Sequence, residues 1–181
     1  IDTLLGNTTY EFYIQSLCPM QGFNSPWYGP ISVTTPCSPT AAPFADGFEN
    51  KPAAYGNSIN PNLPDCWTYS VNSNPGNSYS YASTSSFSSY SGTGYVYNRQ
   101  SNVAGDTVVV SLPMIEDLDQ GGLQVKFWAR TSSTTYPRQM SVATTDASGS
   151  YTSAVVAKNM NVGSTTYQQY SVYLDSSVVT S

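Results

Sequence analysis

Histidine is absent from this 181-residue chain, and charged side chains make up only 9% of it. Acid-base and metal chemistry lean on His because its unperturbed pKa lies near neutrality. Its absence removes the usual Ser and Cys triads and most zinc sites, which disfavours an enzyme. Six Lys and Arg against 11 Asp and Glu leave a net charge of −5, with no cationic run to meet a phosphate backbone or an anionic bilayer. Nucleic acid is excluded as a partner on that ground. Membrane insertion is excluded too, because no window approaches the roughly 18 apolar residues of a spanning helix. The opening Ile1-Asp2-Thr3-Leu4 is not a signal sequence, so any export signal is expected outside this stretch. Three cysteines, Cys18, Cys37 and Cys66, lack zinc-knuckle and C-x-x-C spacing and suit an oxidising compartment.

What the chain does have is hydroxyl and amide: 28 Ser, 19 Thr, 13 Asn and 15 Tyr supply the solubility that charge supplies elsewhere. Such a surface suits an extracellular protein. Disordered chains are also Ser-rich, but they are poor in aromatics, and 13% of this chain is aromatic. Alternation with period two dominates, and no stretch sustains helical spacing for three turns, so the fold class is all-β, an antiparallel sandwich. The clearest predicted strands are Tyr10 to Ser16, Ile31 to Thr35, Cys66 to Val71, Gly94 to Arg99, Thr107 to Leu112, Leu123 to Arg130, Gln139 to Thr145 and Gln169 to Leu174. In Leu123 to Arg130 the odd positions face inward and Trp128 stands on the polar face.

The proline-bearing run Cys37 to Pro43 reads as a boundary, giving residues 1–37, a linker over 38–43 and a second domain over 44–181. Residues 1–37 hold two predicted strands, too few to bury a sheet face. They are therefore expected to be the end of a domain, and the chain a piece of a longer protein. Residues 72–93 form a Ser, Tyr and Asn tract without apolar periodicity. It reads as a long surface loop or, more sharply, as a contact surface in which Tyr79, Tyr81 and Tyr90 offer rigid aromatic area among small hydroxyls.

Leu4-Leu5-Gly6-Asn7-Thr8-Thr9-Tyr10-Glu11-Phe12-Tyr13-Ile14-Gln15, followed by Ser25 to Thr35, resembles the end of a fibronectin type III domain. The resemblance makes Tyr10 the residue whose hydroxyl ties a strand corner to the chain upstream. It also implies a Cys18–Cys37 bridge, as in the fibronectin-like modules of Bacteroidota surface proteins. Cys66 is then a small buried apolar residue, or else the bridge joins Cys37 to Cys66 and leaves Cys18. The remainder is similar to the MAM-like jelly roll of secreted Bacteroidota proteins, the choice-of-anchor J or cleaved-adhesin type. The residues that carry this are Phe44-Ala45-Asp46-Gly47-Phe48-Glu49, Leu63-Pro64-Asp65-Cys66-Trp67, Ser91-Gly92-Thr93-Gly94, Ser111 to Ile115, Leu123 to Arg130 and Val142 to Asp146. The family's closing acidic run is not found by Ser181, so the domain is expected to lack its last strands here.

That second resemblance implies a calcium site using Glu49 and Asp46, since oxygen ligands in irregular geometry suit calcium. Glu116, Asp117 and Asp119 form the densest acidic cluster but do not fit EF-hand spacing and read as a solvated turn. Paired carboxylates could hydrolyse a glycosidic bond without His, but nothing places two of Asp106, Glu116, Asp117 and Asp119 opposite one another. Trp67 reads as core. Trp27 and Trp128 read as stacking surfaces for a sugar ring or for a neighbouring domain. Thr3 and Thr107 sit in Asp-Thr-apolar sequences like those that carry O-glycans on exported Bacteroidota proteins. Taken together, the expectation is a non-catalytic binding or adhesion module of a secreted or cell-surface protein, exported by type IX secretion. Its expected partners are neighbouring domains of the same polypeptide and a host or cell-surface protein or glycan. The alternative is a carbohydrate-binding accessory module of a secreted glycanase or peptidase.

Overall fold

The structure, a computed structural model, describes residues 3–18, 20, 22–49, 62–72, 79–84, 89–99, 105–135, 138–146 and 154–178. They form an all-β fold whose strand pairs are all antiparallel, with one isolated parallel bridge, Thr40 to Ile115. Among the described residues no helix is long and apolar enough to cross a membrane. The chain divides into two compact units, Ile1–Pro39 and Thr40–Ser181.

In the first unit β1 (Thr9–Ile14) pairs with a later strand at Tyr28–Thr34, and two-residue strands β2 (Leu17–Cys18) and β3 (Phe23–Asn24) form the turn between them. The Tyr28–Thr34 strand is β4. Alternation puts the cross-strand pairs Tyr10–Val33 and Phe12–Ile31 on one face and Thr9–Thr34 and Glu11–Ser32 on the other. The Tyr10 hydroxyl accepts the N–H of Leu5 at 2.8 Å, and Thr35 Oγ1 bridges Leu5 and Thr8, so the segment before β1 is tied back onto the hairpin.

This register corrects the expected Cys18–Cys37 bridge. The Asn7 N–H bonds the Pro36 carbonyl, so Cys37 lies beside the start of β1, whereas Cys18 lies beyond its far end, Ile14. At about 3.4 Å per residue the ladder between Asn7 and Ile14 is roughly 24 Å long. A disulfide needs Cα atoms only about 4.4–6.8 Å apart. The disulfide-bonded cysteines are Cys37 and Cys66.

In the second unit β5 (Thr68–Val71) pairs with β8 (Val108–Ser111), and β6 (Tyr79–Thr84) with β7 (Gly94–Arg99). Further on, β9 (Leu123–Ala129) pairs with β12 (Gln168–Leu174), and β10 (Arg138–Thr144) with β11 (Val155–Val162). The most buried strand is β6, where Ser80, Tyr81, Ala82 and Ser83 are all buried and Ala82 is 0% exposed. The tract expected to be a surface loop therefore contains an interior strand. Small hydroxyl side chains can fill a close-packed interior when they are hydrogen-bonded, as the Ser80 hydroxyl is to Asn98 Oδ1 across the β6–β7 pair at 2.6 Å. On the β9–β12 pair, Phe127 stacks on Tyr170, and Val172 and Leu174 are buried on the same inward face. Alternation turns Lys126, Trp128, Gln169, Ser171 and Tyr173 outward.

Candidate functional site

Three of the sequence motifs converge. Asp46 Oδ1 accepts the N–H of Phe48 at 2.7 Å, an Asx turn that holds Phe48 at φ 57°, in the left-handed region that costs a bulky residue roughly 1–2 kcal/mol. The turn aims the Phe48 ring edge-on at Trp67, with centroids 5.0 Å apart, and Phe44 packs on the same indole at 6.3 Å. Trp67, expected in the core, is half-buried under these two rings. Glu49, next to Phe48 in the chain, extends to the Ser91–Gly94 turn, where its carboxylate accepts the Thr93 N–H at 3.1 Å and the Thr93 hydroxyl. The Thr93 hydroxyl, followed by the N–H groups of Thr93 and Gly94, holds the Glu49 carboxyl below its ordinary value.

Asp46 and Glu49, the residues implied for calcium, are therefore a turn former and a latch. Protein donors meet Asp46 Oδ1 and both Glu49 carboxylate oxygens. Among the described residues no group of three His, Cys, Asp or Glu is arranged to hold a metal.

The latch supports an aromatic cluster. Ser89 Oγ donates to the Gly92 carbonyl at 2.8 Å, closing the turn that carries Tyr90. Tyr90 lies flat on Trp128, with centroids 3.9 Å apart and planes 11° apart, and its edge meets Tyr167 at 5.6 Å. Tyr167 is set by a hydroxyl turn: the Thr166 N–H bonds Ser164 Oγ at 3.1 Å, while the Ser164 carbonyl accepts the N–H of buried Thr131 at 2.8 Å. The Arg130 guanidinium lies 5.3 Å from the centre of the Tyr167 ring, within cation–π range. Tyr90 is 50% and Trp128 39% exposed, so the stack presents apolar ring to solvent.

Of the expected contact residues, Tyr90 and Trp128 are thus brought together. Tyr81 is not a surface residue: it is 8% exposed and packs on Tyr97, its cross-strand partner, at 5.3 Å. The side chain of Tyr79 lies outside the described residues, although its backbone opens β6. Tyr167 and Arg130 were not singled out from sequence. The signal for them is the register Gln168–Ala129, which sets the residues just beyond it side by side. In the first unit Trp27 is exposed and lines a shallow depression with Tyr13. Thr3 is exposed, whereas Thr107 is half-buried beside Asp106, which is 1% exposed. Glu116, Asp117 and Asp119 are exposed, at a single 3-10 turn over Leu118–Gln120 that Asp117 enters at φ 55°. Comparison with protein-family models, with curated proteins and with solved structures finds no match.

Proposed function

We propose that this chain is a non-catalytic binding or adhesion module of a larger secreted or cell-surface protein, whose second unit is a MAM-like jelly roll. The convergence of Phe44, Phe48 and Glu49 with Trp67 and Thr93 supports the jelly-roll resemblance, because its separate motifs meet in space. The Tyr10–Leu5 hydrogen bond supports the fibronectin type III resemblance of the first unit. That Cys37 and Cys66 are disulfide-bonded residues suits an oxidising compartment and so an exported protein.

One observation carries the binding role and favours the carbohydrate-binding form of it: the solvent-facing Tyr90–Trp128 stack. Flat aromatic area offers a hydrophobic face and a quadrupole to the C–H face of a sugar ring, and hydroxyl and amide side chains around it supply adaptable hydrogen bonds. Screening a glycan array with the whole chain and with Trp128→Ala tests the reading. Signal that disappears in the variant is expected. Signal unchanged by Trp128→Ala would move the contact surface elsewhere.

A further inference from the structure

The chain carries 11 acidic residues and six cations, yet its charge is unevenly placed. Neither β9 nor β12 contains an acid. The acids nearest in sequence, Glu116 to Asp119 and Asp175, adjoin the Leu123–Leu174 end of that pair. Lys126 and Arg130 flank Trp128 two residues to either side, Lys126 sharing its outward strand face at about 7 Å between Cα atoms. A third cation, Lys158 of β11, reaches the Ser171 carbonyl on β12 at 3.5 Å. Two of the protein's six cations, Lys126 and Arg130, therefore flank Trp128 of the exposed aromatic stack. Gln169, directly opposite Trp128, and Ser171, opposite Lys126, add polar groups to the same face. The Glu49 carboxylate, which meets the Tyr90 turn, is engaged by Thr93.

We propose that the outer face of β9 and β12 binds an acidic sugar. The sugar ring lies on the Tyr90–Trp128 stack, and its carboxylate is held by Arg130 and Lys126. The guanidinium fork, already oriented by the Tyr167 ring, matches a carboxylate in geometry as an ammonium alone does not. Tyr173, 74% exposed and opposite Gln124, lies four residues along β12 from Gln169, roughly 13 Å away. The face is therefore long enough for a short oligosaccharide. This inference rests on the carbohydrate-binding reading.

Calorimetry on the whole chain tests it with two matched pairs: a galacturonate oligomer against its carboxyl-reduced form, and sialyllactose against lactose. At low salt at least one acidic probe is expected to bind roughly tenfold tighter than its neutral partner, the strength of two exposed ion pairs. The preference is expected to shrink as salt rises. Lys126→Gln with Arg130→Gln is expected to abolish the preference while neutral binding persists, and Trp128→Ala to abolish both. Equal affinity within both pairs, or a preference that survives the double substitution, overturns the acidic-sugar inference and leaves carbohydrate binding standing. No binding of any of the four probes overturns the inference, and the array result then decides the broader reading.

Discussion

The Glu49 carboxylate lies so close to Gly92 that a Cβ at that glycine would stand 2.1 Å from Oε1. Two residues on, a Cβ at Gly94 would stand 2.0 Å from the Gly47 carbonyl oxygen and 2.3 Å from the Phe48 carbonyl carbon. The strand-opening turn and the Phe44 to Glu49 motif are therefore interlocked at two points, one through a mobile carboxylate and one through backbone.

The two glycines should respond differently to alanine. At Gly92 the obstacle is the end of a flexible side chain, so the main cost is the left-handed φ of 59°, about 1 kcal/mol. At Gly94 the obstacle is backbone, and Gly94→Ala is expected to cost more than about 2 kcal/mol. Urea midpoints of the two variants check the order, and equal losses would mean that the Gly47–Gly94 approach is not that close.

Acid should weaken the latch. The Glu49 carboxyl is held down by the Thr93 hydroxyl and then by backbone N–H groups, and Asp175 is likewise lowered by the Ser177 hydroxyl and N–H. A lowered folded pKa contributes stability that is fully present above the unfolded value and lost as pH falls through the folded one. The loss is expected below the ordinary values of 4.5 for Glu49 and 3.8 for Asp175. A Tm series from pH 7 down to the acid limb should show a shallower decline for Glu49→Gln than for the parent. Parallel curves would remove Glu49 from the acid response.

The Tyr90–Trp128 contact should be measurable as a coupling. A double-mutant cycle with Tyr90→Ala and Trp128→Ala is expected to give an interaction energy of about 0.5–1.5 kcal/mol in unfolding free energy, as stacked aromatic pairs do. Additive losses would show the rings to be independent in solution.

The interior place of β6 predicts strong protection of its backbone. Amides of residues 79–84 should exchange among the slowest in the second unit, and Ala82→Leu should destabilise by about 1–3 kcal/mol through overpacking. Fast exchange there would return the tract to the surface.

Much of this was readable in the residues. The predicted Gly94 to Arg99 strand has the ends that β7 has, and the outward position of Trp128 follows from its alternation with Val125, Phe127 and Ala129. β6 was missed because its interior positions are Ser, Tyr and Ala, and a pattern that counts Ser as polar sees no buried face where hydroxyls are paired across strands. β11 was missed because Lys158 and Asn159 fall consecutively on exposed positions, next to a register shift against β10 that skips Ala157. At the site, the stacking candidates Tyr90 and Trp128 stood out as aromatics among polar neighbours. Arg130 and Tyr167 acquire meaning only through the pairing of β9 with β12, a relation between segments some forty residues apart in chain order. The latch role of Glu49 depends likewise on Thr93, far along the chain.

Strict alternation on β9 and β12 also separates two kinds of inheritance. Val125, Phe127, Tyr170, Val172 and Leu174 point one way and answer to the interior, while Lys126, Trp128, Gln169, Ser171 and Tyr173 point the other and answer to whatever meets them outside. Substitution at every second position can therefore rewrite what this surface recognises without reopening the question of whether the chain folds. A lineage carrying such a pair of strands could diversify its ligands through changes at a handful of outward side chains.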